Sequence, residues 1–440
     1  MIRIYLKQAW ELMKQNKLFS TLYVVGTGLA IAMTMIMAII YYVKIAPVYP
    51  EVNRQNTLYL TGSRFVKGAK GNQQTVQWGV SYKALQEWFY PMKNALVVSA
   101  HLNDENWVEN AYIQPADRSG DFKVKLKLTD PAFFHIYAFH FREGKPFTDA
   151  DLSSGIHAAV ITDALARRLF GTAEGVLGQT FSLNYADFKV CGVVRPASYL
   201  TDQSYADVYM PYSIAADYRE PKYGAPYLGA FSVTFLVENS GKGVALRNEL
   251  KEIVRKENLA HPDDWQADFW EQPTTHLTSV FQDFVSEEVD VWATVRQFLL
   301  VFLVMLLVPA VNLSGMIYSR MEWRLPEMGV RKSFGAGRRI LLSQVMWENL
   351  LLTLMGGVLG LIIAWLVLYV GREWVFTLLD RWADAVPEGV EVRVAGEMLF
   401  APLVFVAALL LCVLLNLLSA LLPAWHSLRK PIVSSLNEKR

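Results

Sequence analysis

Residues 18–43 of the chain read LFSTLYVVGTGLAIAMTMIMAIIYYV, a run of 26 residues without a charged side chain. As an α-helix this run is about 39 Å long, which exceeds the roughly 30 Å hydrocarbon layer of a bilayer. The run is too long for the apolar core of a cleaved signal peptide, and no clear small-x-small cleavage pattern follows it. It therefore predicts a retained transmembrane helix over residues 18–45.

Three more apolar runs follow in the last third of the chain, and 53% of the 440 residues are hydrophobic, more than a soluble domain usually contains. These runs predict transmembrane helices over residues 293–319, 340–371 and 398–422.

Polar and small residues inside these runs indicate a helix bundle. Asn312 and Glu348 predict polar contacts between helices, because an unpaired polar group facing lipid is costly. Gly356, Gly357 and Gly360 are interpreted as positions where a neighbouring helix packs closely.

The distribution of charge predicts the orientation in the membrane. Residues 1–17 and 423–440 each carry four basic side chains and one acidic one, and residues 320–339 carry six basic and two acidic ones. Residues 44–296 carry 25 basic and 30 acidic side chains. The positive-inside rule then places both termini of a multi-pass chain in the cytoplasm and residues 44–296 on the other side of the membrane. The segments between the helices are predicted as a cytoplasmic amphipathic helix at 1–17, a periplasmic domain at 46–292, a cytoplasmic loop at 320–339, a short periplasmic loop at 372–397 and a cytoplasmic tail at 423–440.

The long segment between the first two helices is predicted to be a folded α+β domain, since it is too long for a loop. NTLYLTG (56–62) and LVVSAHL (96–102) read as strands around the helical stretch 80–95, and FSVTFLVEN (231–239) is followed by another helical stretch. The predicted halves at 46–132 and 225–292 are separated by a β-rich insert at 133–224, in which glycine residues mark the turns between the predicted elements.

The sequence lacks the common catalytic motifs. It contains no P-loop, Gly-x-Ser-x-Gly elbow, His-Glu-x-x-His helix or cysteine pair. We therefore predict no catalytic residue, no metal site and no cofactor bound by this chain. A formal net charge of +1 gives no basic field for nucleic acid, so membrane lipid is the predicted surrounding and nucleic acid is not a partner.

The stretch 319–347 reads SRMEWRLPEMGVRKSFGAGRRILLSQVMW. Met328, Val330 and Phe334 are the apolar members of a predicted short helix that Gly335 and Gly337 end. Such a helix between two transmembrane helices has two uses. One is a place in the lipid headgroup layer, and the other is docking into the groove of a cytoplasmic partner; the physics of the sequence leaves both open.

The motifs resemble a known family. RLPEMGVRKSFGA (324–336), WE (347–348) and GGVLG (356–360) resemble the FtsX-type permease signature of MacB-like ABC transporters. In the long outer segment, AVITDALARRLFG (159–171) and KVCGVV (189–194) resemble the MacB-type periplasmic core domain.

The resemblance implies a multi-pass type VII ABC permease of the bacterial inner membrane. It also implies a Porter-type lobe from the two outer halves, a Sabre-type lobe from the insert, and Glu348 at the family's acidic position in helix three. It also implies a coupling helix seated on an ABC ATPase subunit, which would bind ATP and magnesium. The residues implied in this coupling are Arg324, Glu327, Met328, Gly329, Val330, Arg331, Lys332, Phe334, Gly335 and Ala336.

The implied mechanism is mechanotransmission, in which ATP hydrolysis on the partner changes the periplasmic lobes. The implied role is export of peptide, lipid, lipoprotein or drug, with a second permease copy or a paralogue, a periplasmic adaptor and an outer-membrane channel as partners. Two alternatives stay open at this point. One is an FtsX-like regulator of cell-wall hydrolases, and the other is a membrane receptor or scaffold.

Overall fold

A computed structural model of the full chain describes residues 10–11, 14 and 17–429, apart from 69–72, 104, 109–110, 116–119, 283, 285, 287–288, 372–374, 376–398 and 400. Most of the predicted N-terminal helix and short periplasmic loop, and the tail beyond Arg429, lie outside these residues. The described residues form two compact units, one of long helices and one of residues between Val43 and Val291.

Five helices make up most of the first unit, and α1 continues into the first residues of the second. They are α1 (Lys17–Ile45), α9 (Val291–Trp323), α10 (Leu325–Ser333), α11 (Arg338–Val370) and α12 (Pro402–Arg429).

Three stretches of these helices are long and apolar enough to cross a membrane in the described part of the chain: Lys17–Ile45, Arg338–Val370 and Pro402–His426. Helix α9 begins close to the predicted start of the second transmembrane helix, and its described apolar part, Val291–Val304, is shorter than a full span. The apolar helices near the N-terminus and in the C-terminal region are therefore confirmed, and the count of four remains our proposal.

The second unit is built on a mixed sheet with short helices around it. Its helices are α2 (Tyr82–Ala84, continued by a π-turn over Leu85–Phe89), α3 (Glu105–Val108), α4 (Phe133–Ile136), α5 (Asp149–Ser154), α6 (Asp163–Phe170), α7 (Ser240–Ala260) and α8 (His276–Phe281). Its strands are β1 (Thr57–Leu60), β2 (Ser63–Lys67), β3 (Gln74–Val80), β4 (Val97–Leu102), β5 (Tyr112–Gln114), β6 (Phe122–Lys123), β7 (Leu126–Thr129), β8 (Phe141–Gly144), β9 (Ala158–Thr162), β10 (Thr180–Leu183), β11 (Ala186–Val194), β12 (Val208–Pro211), β13 (Leu228–Gly229), β14 (Phe231–Leu236), β15 (Gln266–Asp268) and β16 (Thr274–Thr275).

Twelve of the strands form one path of neighbours, in the order β15-β2-β3-β14-β4-β7-β12-β9-β11-β10-β5-β6. The other four join at its sides: β1 pairs with β14 and β16, β8 with β11, and β13 with β3. Most neighbours are antiparallel, and the pairs β7–β12 and β9–β11 are parallel. The strand β9 and helix α6 form part of a crossover connection to β11, which pairs with β9 in parallel. The predicted large domain with both helices and strands is thus confirmed.

The predicted insert at 133–224 shares strands with the chain before it. Strand β5 pairs with β10, and β7 pairs with β12. These pairings join residues 112–129 to the sheet of the insert, because strands separated in sequence complete each other's backbone hydrogen bonds.

Candidate functional site

Helix α10 forms because its sequence has start and stop signals at the right places. Pro326 lies in the first turn, where its missing N–H is not needed, and Glu327 is next to the positive end of the helix dipole. Arg331 and Lys332 lie in the last turn. Gly335 ends the helix with a φ of 88°, a left-handed conformation that glycine adopts without a steric penalty.

One side of α10 is buried among the long helices. Leu325 and Met328 are each 1% exposed, and Gly329 is also buried. Met328 belongs to a cluster with residues of four other helices: Tyr23, Ile317, Met321, Leu341, Val345, Leu352, Ala420 and Ala424. The predicted coupling residues Met328 and Gly329 therefore hold α10 against the bundle and are not accessible to a partner protein.

A closed ring of polar contacts fixes α10 to α11. Arg324 Nη1 donates to Glu348 Oε2 at 2.6 Å, and Gln344 Nε2 donates to Glu348 Oε1 at 3.2 Å. Arg331 donates to Gln344 Oε1 and to Glu327 Oε1, each at 2.7 Å. Arg324 Nε closes the ring on Glu327 Oε2 at 3.4 Å. We call these five residues the α10–α11 ring.

The part of the ring around Glu348 is desolvated, which strengthens the hydrogen bonds there, while Arg331 and Glu327 are more than a third exposed. The side chain of Glu348 is 3% exposed and that of Arg324 is 10% exposed. Each Glu348 oxygen accepts from a donor, so the carboxylate is paired and hydrogen-bonded as a buried charge requires. The ring gives α10 a fixed orientation on α11.

The other side of α10 and its flanks expose large apolar side chains. Phe334 is 89% exposed, Trp323 is 79% exposed and Val330 is 46% exposed. Arg338 and Arg339 follow and are also exposed. Burial and the positive charge of Arg338 lower the pKa of Lys332. Exposed apolar groups bordered by basic ones are typical of a surface that binds another protein.

The three glycines of α11 pack against neighbouring helices. A Cβ atom added at Gly360 would lie 2.6 Å from the carbonyl oxygen of Gly28, and one at Gly356 would lie 2.9 Å from Thr27 Cβ. A Cβ atom at Gly357 would lie 2.5 Å from Leu409 Cδ1. These contacts support the interpretation of the glycines as close-packing positions of α11 with α1 and α12.

The structure brings two separately predicted sets of residues together. Arg324, predicted as a coupling residue, binds Glu348, predicted as a polar residue of a membrane helix. Gly335 and Ala336 form the turn after α10, where their N–H groups donate to Lys332 O and Arg331 O. The side chain of Asn312 lies outside the described residues.

Sequence reasoning missed Trp323 and Gln344. Trp323 is the last residue of α9 and is exposed beside the start of α10, and Gln344 bridges two charged residues of the ring. The spacing of Gln344 and Glu348, four residues apart on α11, was the available signal, since such residues lie on one helix face. Among the described residues no group of three or more His, Cys, Asp or Glu side chains is placed to hold a metal ion.

Two family profiles match the chain. The MacB-like periplasmic core domain matches residues 20–253, and the FtsX-like permease C-terminal domain matches residues 299–432.

Several curated proteins are similar over much of the chain. The pyoverdine export ATP-binding/permease protein PvdT of Pseudomonas entomophila is 23% identical over 82% of this chain and 51% of its own length. The uncharacterized ABC transporter permease YknZ of Bacillus subtilis is 22% identical over 62% of each chain. The macrolide export ATP-binding/permease protein MacB of Burkholderia thailandensis is 22% identical over 77% of this chain and 48% of its own. The chain thus spans about half to three fifths of the length of these relatives.

Solved structures of periplasmic regions are also similar. The periplasmic region of MacB from Actinobacillus actinomycetemcomitans matches 49% of this chain at 16% identity, with a TM-score of 0.33 and coverage of 89% of that structure. The extracellular domain of the YknZ transporter from Gram-positive bacteria matches 48% of this chain at 16% identity, with a TM-score of 0.33 and coverage of all of that structure.

Proposed function

The chain belongs to the MacB-like family of ABC permeases with an FtsX-type C-terminal domain, and from that premise we propose that it is the permease subunit of an exporter. ATP hydrolysis takes place on a separate ABC ATPase subunit. The chain transmits the resulting movement to its periplasmic domain and has no catalytic residue of its own. It acts in the inner membrane with both termini in the cytoplasm.

The observation that carries this proposal is the division of α10 into two faces. Its buried face and the α10–α11 ring hold it rigidly on the long helices, while Val330 and Phe334 are exposed. A helix that is fixed on one side and apolar on the other is suited to insert a side chain into a partner's groove. Because the ring ties α10 to α11, a displacement of α10 is passed to a helix that crosses the membrane.

The names of relatives support a proposal on the class of cargo. Those names refer to export of pyoverdine and macrolides, and a relative from Pseudomonas syringae pv. tomato is named as a probable syringafactin export protein. We propose a peptide, lipid, lipoprotein or drug-like cargo taken from the periplasmic side. A second permease copy or a paralogue, a periplasmic adaptor and an outer-membrane channel complete the proposed assembly.

We call the exposed side chains of Trp323, Val330 and Phe334 the docking surface. Retention of the ATPase by an affinity-tagged permease tests this surface. We expect Phe334→Ala to reduce the affinity for the ATPase by roughly thirtyfold, or about 2 kcal/mol, as truncation of a central aromatic anchor does. The measurement is the amount of cognate ATPase that copurifies from membranes at a fixed salt concentration, together with direct binding in detergent.

Trp292→Ala provides the matched control. Trp292 is another exposed aromatic residue, 77% exposed at the opposite end of α9 from Trp323, and we expect its truncation to leave ATPase binding unchanged. Full retention of the ATPase by the Phe334→Ala protein would contradict the proposed docking surface.

A further inference from the structure

The segment that follows α1 is bound to the insert, although the insert lies far away in sequence. Tyr49 Oη donates to the carbonyl oxygen of Arg195 at 2.9 Å. Asn53 Nδ2 donates to the carbonyl oxygen of Ile136 at 3.0 Å. The Ala138 N–H donates to the carbonyl oxygen of Pro50 at 3.0 Å. The chain leaving α1 is therefore held by residues of 133–224 before it enters strand β1.

Arg54 is the residue that joins this segment to the end of α1. Its Nη1 donates to the carbonyl oxygens of Val43 at 2.7 Å and Ala46 at 2.8 Å, with a longer contact of 3.4 Å to that of Lys44. The last carbonyls of a helix lack partners within the helix and carry a partial negative charge, so a guanidinium satisfies both their hydrogen bonding and their charge.

Glu51 continues the connection into the insert. Its Oε2 accepts from Arg54 Nε at 2.8 Å, and its Oε1 accepts from the N–H of Ser204 at 3.0 Å and from Ser204 Oγ at 2.8 Å. The side chains of Arg54 and Glu51 are only 2% and 1% exposed. We call Arg54, Glu51 and Ser204 the helix-end clamp.

The insert side of the helix-end clamp is itself well fixed. Tyr209 Oη donates to the carbonyl oxygen of Ser204 at 2.8 Å, and Lys127 Nζ donates to that of Gln203 at 2.5 Å. Residues 203 and 204 are thus hydrogen-bonded to side chains of the strands β7 and β12, which pair with each other. Through these hydrogen bonds, the contact of Glu51 with Ser204 connects the end of α1 to the sheet of the insert.

A second group binds the same helix end from another direction. His276 Nε2 lies 2.9 Å from the carbonyl oxygen of Lys44, and His276 Nδ1 lies 3.4 Å from Tyr59 Oη. Burial, followed by the positive charge of Arg54, lowers the pKa of His276, which favours the neutral ring. A neutral ring donates from only one nitrogen, which fits donation to Lys44 O and acceptance from Tyr59.

We propose that Arg54 and Glu51 are positioning residues that transmit a displacement of the end of α1 to the insert through Ser204. This role rests on the proposed function, in which the membrane helices move when the partner ATPase works. A buried ion pair contributes little net stability over an apolar pair of the same volume, but it fixes geometry because each oxygen and N–H needs its partner in place. This fixed geometry allows the helix-end clamp to transmit a displacement.

The double variant Arg54→Met with Glu51→Gln tests the role of the helix-end clamp in the full-length chain assembled with its ATPase. It leaves no unpaired buried charge, and the introduced glutamine still offers an amide oxygen to Ser204. It removes the contact between Arg54 and the end of α1 and keeps the hydrogen bonds of Tyr49, Pro50 and Asn53 to the insert. Hydrogen exchange of the peptides covering residues 195–206 is compared between the nucleotide-free complex and the complex trapped with a non-hydrolysable ATP analogue. We expect the wild type to show a nucleotide-dependent difference and the variant to lose it, while ATP hydrolysis continues.

The matched control is Arg64→Met with Asp268→Asn, which makes the same chemical change in an ion pair of the same domain that is more than a third exposed. This variant should keep the nucleotide-dependent difference. If the double variant of the helix-end clamp fails to fold, Arg54→Lys replaces it, since lysine keeps the charge but lacks the planar fork. We expect a reduced exchange difference for Arg54→Lys with an unchanged thermal unfolding midpoint.

The outcomes separate the two proposals. An exchange difference in the variants equal to that of the wild type would overturn the role of the helix-end clamp and leave the proposed function standing. Loss of the exchange difference together with loss of folding in every variant would assign the ion pair to stability alone and also overturn the role. Absence of any nucleotide-dependent difference in the wild type would overturn the proposed function and this role with it.

Discussion

Glu348 lies within an apolar run of the sequence, and its carboxylate accepts hydrogen bonds from Arg324 and Gln344. The sequence predicted that this residue needs a polar partner, because an isolated charge in a membrane helix is costly. It did not predict which partner, since Arg324 is 24 residues away and only the turn between α10 and α11 brings the two together. Long-range pairs of this kind depend on packing that no local pattern encodes.

Removal of Glu348 should destabilise the helical unit strongly. Glu348→Ala leaves the guanidinium of Arg324 buried without its main partner, and we expect a loss of about 3–5 kcal/mol in the free energy of unfolding. The measurement is unfolding by denaturant in detergent micelles. Glu322→Ala, at an exposed position of α9, is the control and should change this free energy by less than about 1 kcal/mol, because contacts of exposed charged groups contribute little. An equal effect of both substitutions would contradict the importance of the α10–α11 ring.

Helices and strands were predicted well from the sequence where the spacing of apolar residues and the positions of glycines indicated the same element. The predicted strands at 56–62, 96–102 and 231–239 appear as β1, β4 and β14, and the predicted short helix after residue 319 appears as α10. The sequence did not predict that β5 and β7 pair with strands of the insert, because strand pairing is set by backbone hydrogen bonds between distant segments.

The contact between α1 and α11 depends on the absence of side chains. Gly360→Val would place a branched side chain where a single Cβ atom already lies 2.6 Å from the carbonyl oxygen of Gly28. Backbone cannot yield as a flexible side chain does, so we expect the helices to separate and the protein to lose about 1–3 kcal/mol of stability, as overpacking does. The measurement is the unfolding free energy in the same detergent assay.

Gly315→Ala is the matched control for the glycine contact. Nothing lies within 4 Å of a Cβ atom added at Gly315 in α9, and alanine favours a helix over glycine by about 1 kcal/mol. This substitution should leave stability unchanged or raise it slightly. Destabilisation of both proteins to the same extent would show that the close approach of α1 and α11 has no special role.

At the scale of the whole molecule, the proposed orientation has a direct chemical test. In a chain with both native cysteines, Cys191 and Cys412, replaced by serine, a cysteine is introduced at Tyr185, which is 93% exposed, or at Phe334. A membrane-impermeant thiol reagent added to cells with a permeabilised outer membrane should label position 185 only. Position 334 should react after the inner membrane is opened, as the positive-inside rule predicts. Labelling of position 334 in cells with an intact inner membrane would contradict the orientation and the docking surface together.

The α10–α11 ring also limits how this protein can be recombined with its relatives. A chimera that receives only residues 324–336 from another permease, in order to change which ATPase it recruits, would separate Arg324 and Arg331 from the Gln344 and Glu348 that they contact. A graft that runs from residue 323 through residue 348 transfers the exposed side chains of Trp323, Val330 and Phe334 together with the α10–α11 ring that holds them.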